Sequence, residues 1–227
     1  MSGDFDPYAD RYEQLVESSI GFSGQEHDFF LEAKGRALVD VVRRRLGDPG
    51  AVRALDVGCG GGLMDRQLAA LGSLTGVDPS ESMIEEARAA NPRVEYQVAD
   101  GTELPFPEGS FDVAFAVCVL HHVPPPLRPA FVAELARVTR TGGLAVVFEH
   151  NPLNPLTRLA VARCEFDDDA ILLGRRETRS RLRAAGTRPV EERYILFFPW
   201  RSTLLGHAER ALAPLPLGAQ YYVAAHA

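Results

Sequence analysis

The sequence predicts an α/β protein with a mostly parallel sheet, and two features support that prediction. The first is an apolar strand at residues 54–57 that runs into four glycines within the five residues 58–62. A helix-forming run and a second apolar strand follow, and this second strand ends on Asp78. The other feature is the repeated alternation of strand-like and helix-like segments from there to Glu149. Parallel strands need long crossovers, usually helices, so these repeats indicate right-handed strand–helix–strand units.

Residues 5–46 are predicted to be helical, because their apolar side chains recur at helical spacing. A break falls at residues 21–24, where the sequence Gly-Phe-Ser-Gly interrupts the pattern. The second helical part closes at Gly47, and the alternating strands begin after it.

The central units occupy residues 51–149. Ser80 is a suitable N-cap for a helix whose Met83 and Ile84 face inward. The run at 111–119 is apolar apart from Asp112, which is typical of a strand buried on both faces. In chain order the predicted elements are strand 54–57, helix 63–71, strand 74–77, helix 80–90, strand 94–98, strand 111–119, helix 127–138, turn 141–143 and strand 144–148.

The pattern changes after Glu149. Pro152 and Pro155 punctuate a predicted loop, and residues 156–173 mix apolar and acidic side chains. The predicted elements of this part are a helix at 177–185, a strand at 192–198, a short helix at 204–212 and a strand at 220–225.

Length and composition fit one domain with a substantial core, because the chain has 227 residues of which 46% are hydrophobic. The first thirty residues are acidic where a secretory signal would be basic, and no apolar run is long enough to span a bilayer. We therefore expect a cytoplasmic protein that does not bind membranes. A formal net charge of −7 without long basic runs argues against a nucleic-acid partner. The three cysteines are far apart and form no CxxC pair, so neither a disulfide framework nor a zinc knuckle is indicated.

The glycine-rich segment is suited to a cofactor that lies over the strand ends. Glycine is needed wherever a Cβ would collide with the ligand, which explains Gly58, Gly60 and Gly62. Asp78, at the end of the next strand, is placed to accept hydrogen bonds from both hydroxyls of a ribose. The alternative interpretation is a glycine-rich turn that serves only tight strand–helix packing.

A nicotinamide dinucleotide would also use a glycine-rich loop, so the neighbouring residues decide which cofactor is expected. A dinucleotide site usually has no carboxylate immediately before its glycines, whereas Asp56 lies two residues ahead of Gly58. A second acidic element, Ala99-Asp100-Gly101, follows the third predicted strand. These features favour a different adenosine-bearing cofactor.

Four motifs occur in order over residues 54–148: LDVGCGGG, GVDPS, ADGTELPFPEGSFD, and VLHHV paired with RVTRTGG. With these motifs the sequence resembles the class I S-adenosylmethionine-dependent methyltransferases, most closely the small-molecule branch that includes quinone and secondary-metabolite methyltransferases. The segments FDPYADRYEQLV and HNPLNPLTR are also similar to parts of bacterial members. The resemblance implies S-adenosylmethionine as the cofactor and a Rossmann-like fold with seven mostly parallel strands, of which the last is antiparallel.

We expect a single methyltransferase domain over residues 1–227. Residues 1–47 would form a helical lid, residues 51–149 the cofactor-binding core, and residues 150–227 the substrate side with the C-terminal strands. The short lid favours a small-molecule substrate over a macromolecule, and we expect a monomer or a homodimer.

The resemblance assigns ten residues to the cofactor by position, and in each case donors match acceptors. They are Asp56, Gly58, Gly60 and Gly62 along the methionine part, Asp78 at the ribose, Met83, Asp100 and Gly101 at the adenine, and Val117 and Cys118 with carbonyls toward the ammonium. For Met83 and Val117, simple core packing is an equal alternative.

Methyl transfer from a sulfonium needs mainly alignment for in-line attack, and a base only when the nucleophile holds a proton of high pKa. His121 and His122 follow the fourth central strand, whose end faces the reactive centre in this fold. In the similar phosphoethanolamine methyltransferases a histidine at the position of His121 pairs with an N-terminal tyrosine, a part that Tyr8 or Tyr12 could take. One of the two histidines could equally be structural.

We expect no metal. Quinone O-methyltransferases bind a cation through an acidic ExxEH version of the VLHHV motif, but this chain has Cys118, His121 and His122 at those positions. The hard oxygen ligands that magnesium prefers are therefore missing from the motif.

Further side chains could contact a substrate. The polar candidates are Glu149, His150, Asn151, Arg158 and the aspartates 167–169, and the apolar candidates are Phe166, Phe197, Phe198 and Trp200. Three consecutive aspartates are more often a solvated helix start than a ligand cluster, and the aromatic residues could simply be core.

The predicted function is methyl transfer from S-adenosylmethionine to an oxygen, nitrogen or carbon of a small molecule, with secondary metabolism as one setting. Two alternatives remain open because fold and cofactor do not determine chemistry. One is a cofactor-retaining cyclase or another non-methylating enzyme on the same fold, and the other is a cofactor-binding module.

Overall fold

The computed structural model describes residues 11–198, 209 and 211–227. Its centre is one seven-stranded sheet with the strand order β3-β2-β1-β4-β5-β7-β6. The strands are β1 (Arg53–Val57), β2 (Ser73–Asp78), β3 (Glu95–Val98), β4 (Phe111–Val117), β5 (Thr139–His150), β6 (Arg188–Ile195) and β7 (Gln220–His226). Neighbours from β3 to β5 pair in parallel, and β7 is antiparallel to both β5 and β6. The predicted Rossmann-like sheet with an antiparallel last strand is confirmed.

Helices cover the sheet in the part of the chain that the structure describes. They are α1 (Tyr12–Ile20), α2 (His27–Leu46), α3 (Glu81–Ala90), α4 (Arg128–Val138), α5 (Pro155–Val161) and α6 (Arg175–Ala184). None of these helices is both long enough and apolar enough to cross a bilayer.

Strand β4 shows how the core forms on both faces of the sheet. Its Val113 and Phe115 belong to an apolar cluster with α2, whereas Ala114 and Ala116 belong to a second cluster with α4 and α6. Each of these four side chains is fully buried. The continuous apolar run predicted this arrangement, because alternate strand residues point to opposite faces.

The N-terminal helices match the predicted helical segment and its break at residues 21–24. Helix α2 packs against the sheet through Leu38, Val41 and Val42, which are fully buried. Burying such side chains stabilises a fold by about 1.5–3 kcal/mol each. Tyr8 lies outside the described residues, and Tyr12 is the first residue of α1.

The prediction of a helix at residues 63–71 is wrong. Only a short 3₁₀ turn, Asp65–Leu68, forms there. Two tertiary contacts hold this segment. The Tyr96 hydroxyl donates a 2.6 Å hydrogen bond to Asp65 Oδ2, and α2 approaches so closely at Gly35 that a Cβ there would lie 2.8 Å from Gln67 Cβ. Tertiary contacts of this kind override local helix propensity.

Two other local predictions need correction. The loop predicted around Pro155 contains α5, because Asn154 caps the helix and Pro155 occupies its first turn, where a missing N–H is tolerated. The turn predicted at 141–143 lies within β5. Most of the helix predicted at 204–212 lies outside the described residues.

Candidate active site

A cavity of about 500 Å³ opens at the carboxyl ends of β1, β2, β4 and β5. Ligands of open α/β sheets bind at this edge. The cavity brings together ten of the residues that the sequence nominated, including both histidines. These are Asp56, Gly58, Gly60, Asp78, Met83, Gly101, Val117, Cys118, His121 and His122. Gly62 and Asp100 do not line it.

The glycine loop is closed by hydrogen bonds to β2. The amides of Gly58 and Cys59 both donate to the Val77 carbonyl, at 2.8 and 3.0 Å. The Gly60 amide donates to Asp78 Oδ2 at 2.9 Å, and the Ser80 amide donates to Asp78 Oδ1 at 3.0 Å. The loop and the Asp78 carboxylate therefore form one unit whose position is held by backbone donors.

The glycines serve different purposes. Gly60 has a φ of +51° and an added Cβ would meet nothing within 4 Å, so open space lies above it. At Gly62 a Cβ would lie 2.5 Å from Asn91 Nδ2 and 2.7 Å from the Tyr96 hydroxyl. Gly62 is therefore required for packing against α3 and β3, which is the structural alternative that the sequence left open.

Asp56, in β1, is buried at the base of the cavity with one carboxylate oxygen unsatisfied. Burial raises the pKa of Asp56 well above its ordinary value, and the nearby Asp65 and Asp78 carboxylates raise it further. Its Oδ1 has no hydrogen-bond partner among the described residues. A buried acceptor without a partner costs free energy, so this oxygen is suited to a cationic or hydrogen-bond-donating group of a ligand.

Lys34, on α2, is a cavity residue that the sequence analysis did not select. It is only 5% exposed, it lines the cavity, and within the described ranges it makes no hydrogen bond or ion pair. Its positive charge partly offsets the raised pKa values of Asp56 and Cys118 and adds to the lowering of the His150 pKa, so Lys34 lies near the ends of β1, β4 and β5. One signal was available, since this is the single lysine beside 23 arginines and it lies on the apolar stripe of a predicted helix.

Of the three residues predicted to contact the adenine, two line the cavity and one does not. Met83 is 2% exposed and contributes to the cavity wall. Gly101 also lines the cavity, whereas the carboxylate of Asp100 accepts hydrogen bonds from the Thr102 amide and hydroxyl, both at 2.8 Å. Asp100 thus shapes the turn that carries Gly101.

Cys118 has an unusual backbone conformation at the end of β4. Its φ is +57°, which is uncommon for a residue with a side chain, and its amide donates to the Phe148 carbonyl at 2.9 Å. Residues held in this conformation cluster at functional sites. The reversal turns the chain so that the following histidines lie against the cavity.

Five side chains form what we call the histidine–carboxylate cluster: His121, His122, Glu149, His150 and Asp167. His121 Nδ1 lies 2.6 Å from Glu149 Oε2, and its Nε2 lies 3.6 Å from Asp167 Oδ1. His122 Nε2 lies 3.2 Å from the same Asp167 oxygen. The His150 ring centre is 5.0 Å from that of His121. All members except Glu149 line the cavity, and Glu149 lies behind His121, where its Oε1 accepts from the Leu120 amide at 2.7 Å.

Opposing effects set the charges within the cluster. Burial alone would lower the pKa of His121, but the Glu149 carboxylate and Asp167 outweigh it and raise the pKa to about 10. Burial dominates at His150, where it lowers the pKa to about 4, and also lowers the pKa of His122. The imidazoles lower the pKa of Asp167 despite its burial. The cluster is therefore built to stabilise one positive charge between two carboxylates.

Asp167 is the member that sequence reasoning did not single out. It belongs to the run 167–169, in which it is buried while Asp168 and Asp169 are exposed. A short 3₁₀ turn, Glu165–Asp167, carries it into the cavity. Nothing in the sequence distinguishes the first of three aspartates from the other two, so only the folded chain identifies it.

The remaining cavity wall is largely apolar. Phe197 and Phe198, nominated from sequence, line it, and Trp200 lies outside the described residues. Helices α1, α2 and α5 add further apolar side chains, among them Ile20, Phe29, Phe30, Leu156 and Val161. Asn151 instead holds the backbone, donating to the Gly218 carbonyl at 2.8 Å, and Arg158 does not line the cavity.

Comparisons with known proteins agree with this geometry. Residues 55–147 match a family model described as a methyltransferase domain. The chain is 36% identical over 152 residues to 27-O-demethylrifamycin SV methyltransferase of Amycolatopsis mediterranei, covering 61% of this chain and 54% of that protein. It is 34% identical over 142 residues to the ubiquinone biosynthesis O-methyltransferase of Xanthomonas campestris, covering 60% and 58%. The matched region thus spans little more than half of each of these relatives.

The fold extends over the whole chain in a solved structure. An S-adenosylmethionine-dependent methyltransferase from Thermotoga maritima superposes with a TM-score of 0.71 at 21% identity, covering 98% of this chain and 97% of that one. At this identity the likeness concerns the fold.

Proposed function

We propose that this chain is a class I methyltransferase that uses S-adenosylmethionine as its cofactor. It would transfer a methyl group to a hydroxyl oxygen of a small, largely apolar molecule. The observation that supports this most strongly is a single cavity that contains both the glycine loop with its two acidic residues and the histidine–carboxylate cluster. One of the two relatives named above is the methyltransferase of an O-demethyl compound, and the other is named as an O-methyltransferase. Both names indicate small-molecule substrates.

The residues present fit the cofactor. Asp78 would accept hydrogen bonds from the ribose hydroxyls, and Gly60 leaves open space beside it. The orphaned Asp56 Oδ1 would accept from the ammonium of the methionine part. Lys34 would pair with the methionine carboxylate, since no described residue forms an ion pair with its buried ammonium. Met83 and Gly101 would contact the adenine.

The acceptor side of the cavity follows from the same arrangement. Apolar side chains of α1, α2, α5 and of residues 196–198 would hold the body of the substrate. The histidine–carboxylate cluster would receive its hydroxyl, because His121, His122 and Asp167 line the same cavity as the glycine loop. The bound cofactor supplies an activated methyl group on a positively charged sulfur. The protein aligns the oxygen for in-line attack and accommodates the proton that the hydroxyl loses.

The test is a product assay with tag-free protein, S-adenosylmethionine and a panel of hydroxylated aromatic and polyketide compounds. S-adenosylhomocysteine and an O-methylated product should appear together in equal amounts. The variant His121→Ala should turn over about a hundredfold more slowly or worse, because losing a group that stabilises the developing oxyanion costs about 10²–10³-fold. Its affinity for S-adenosylhomocysteine should stay within a factor of two or so. A converted substrate without S-adenosylhomocysteine would instead support the non-methylating alternative, and cofactor binding without any conversion would support a binding module.

A further inference from the structure

Three side chains of the histidine–carboxylate cluster converge on one point. His121, His122 and Asp167 each offer one ligand atom, and these atoms lie within 4.8 Å of one another. The Asp167 oxygen lies 3.6 Å from His121 Nε2 and 3.2 Å from His122 Nε2. Metal–ligand bonds of about 2.0–2.2 Å in length separate neighbouring ligand atoms by distances of this size.

The Asp167 oxygen in this arrangement is paired by charge with both imidazoles but accepts no aligned hydrogen bond. Although both imidazole nitrogens are near, neither is aligned for a hydrogen bond, and Oδ1 is buried without one in the described structure. Buried polar atoms are normally satisfied, so an exception needs an explanation such as a bound ion. One ion among the three atoms would satisfy the Asp167 oxygen and use both imidazole nitrogens.

Glu149 supplies the outer support that metal-binding histidines usually have. Its Oε2 lies 2.6 Å from His121 Nδ1, so the carboxylate holds the proton on Nδ1 and leaves Nε2 facing Asp167. The Leu120 amide in turn fixes Glu149 through its other oxygen at 2.7 Å. A carboxylate behind a histidine orients the ring and increases its basicity as a ligand.

The ligand set selects a class of ion. Two imidazole nitrogens with one carboxylate suit zinc, iron, cobalt or nickel, whereas magnesium prefers oxygen ligands throughout. Three protein ligands that face a cavity also leave positions for a substrate atom, as in catalytic sites. The VLHHV motif predicted no metal, because it lacks acidic ligands. Asp167 joins the two histidines from a segment that is distant in the sequence, and the motif does not indicate it.

We propose that His121, His122 and Asp167 bind one divalent transition-metal ion, and that this ion holds the oxygen of the substrate hydroxyl. The second half of the proposal rests on the proposed function. In the step, the O–H bond breaks and its proton passes to solvent, an O–CH₃ bond forms, and the S–CH₃ bond breaks to leave a neutral thioether. The ion stays in its divalent state and acts as a Lewis acid, so no oxidant or reductant is required.

The first experiment measures metal binding directly. Full-length protein without a histidine tag is stripped with a chelator and titrated with Co²⁺ and Zn²⁺ by calorimetry, and the visible spectrum of the Co²⁺ form is recorded. One ion per chain should bind, at least tenfold more tightly than Mg²⁺. Asp167→Ala and His122→Ala should each weaken binding at least tenfold and alter the cobalt spectrum. The matched control is Asp168→Ala, an exposed neighbour in the same run, which should bind as the parent does.

The outcomes separate this proposal from the proposed function. Failure of the parent protein to bind Co²⁺ or Zn²⁺, or equal affinity in the parent and Asp167→Ala, overturns the metal site. If S-adenosylhomocysteine binding and methyl transfer persist in that case, the proposed function survives without the metal. If the metal binds but no hydroxylated compound is methylated, the ion site stands and the assigned reaction fails. Each variant's retained S-adenosylhomocysteine affinity shows that the cavity is folded.

Discussion

Replacing Lys34 by methionine should remove the contact to the cofactor's carboxylate while it preserves the shape of the side chain. Lys34 is 5% exposed at the cavity wall, and its ammonium forms no ion pair with another described residue. A hydrogen bond to a charged group is worth about 1.5–3 kcal/mol. Since 1.4 kcal/mol is a factor of ten, S-adenosylhomocysteine should bind about ten- to a hundredfold more weakly to Lys34→Met.

A second ligand separates this contact from a general loss of the site. The analogue that lacks only the carboxylate group of S-adenosylhomocysteine should bind equally well to the parent and to Lys34→Met. Calorimetric titration of both proteins with both ligands gives four binding free energies, which form a cycle like that of a double mutant. The coupling free energy of this cycle reports the interaction between Lys34 and the ligand's carboxylate. The matched control is Arg36→Met on the same helix, because Arg36 has a solvent-exposed side chain paired with Glu32. This control should leave both affinities unchanged.

Two results would refute the reasoning about Lys34. Equal weakening of both ligands would mean that the variant damages the cavity as a whole, so the lysine would have a structural role. Unchanged affinity for S-adenosylhomocysteine would mean that the methionine carboxylate binds elsewhere. Thermal unfolding should accompany the titrations, and Lys34→Met should be no less stable than the parent, because a buried unpaired charge is replaced by an apolar group.

Three further predictions concern other positions. Asp78→Ala should weaken S-adenosylhomocysteine binding by about 1–3 kcal/mol in calorimetry, and an unchanged affinity would contradict the ribose contact. Gly62→Ala should destabilise the fold by about 1–3 kcal/mol in urea unfolding, because its Cβ would lie 2.5 Å from Asn91, whereas Gly60→Ala, with nothing within 4 Å, should affect cofactor binding more than stability. Burial opposes ionisation of Glu191, but Tyr222 and the nearby arginines outweigh it and lower its pKa to about 2 from 4.5. Its carboxylate therefore stabilises the fold above pH 4.5, and this contribution should disappear between pH 4.5 and 2; unfolding free energies measured across that range should fall less steeply in Glu191→Gln, and identical slopes would exclude the assignment.

The order of the elements followed from local patterns. The run of residues 53–57 and its glycines, the Ser80 cap and the apolar β4 all formed as predicted, because each signal lies within one short segment. The Met83 amide donates to Ser80 Oγ at 3.2 Å, as the capping pattern requires. Helix propensity at 63–71 failed for the opposite reason, since contacts from Tyr96 and α2 determine that segment's backbone.

The candidate site shows the same division. Asp56, Asp78 and the histidine pair were found from the sequence, because motif spacing records where a chain crosses the carboxyl edge of a sheet. Lys34, Glu149 and Asp167 acquire their roles from segments that are far apart along the chain and meet only in the fold. The sequence suggested Glu149 as a substrate contact, but Glu149 lies behind His121 as its hydrogen-bond partner and does not line the cavity.

By itself the sequence determined the fold class, the glycine loop and the position of the histidines, because these depend on periodicity and on short motifs whose residues are neighbours in the chain. Only the tertiary structure decided which acidic side chain of residues 167–169 enters the cavity, that Lys34 lines it and which glycine is needed for packing. Burial and distance control these properties, and both arise from contacts between segments that the linear pattern does not encode.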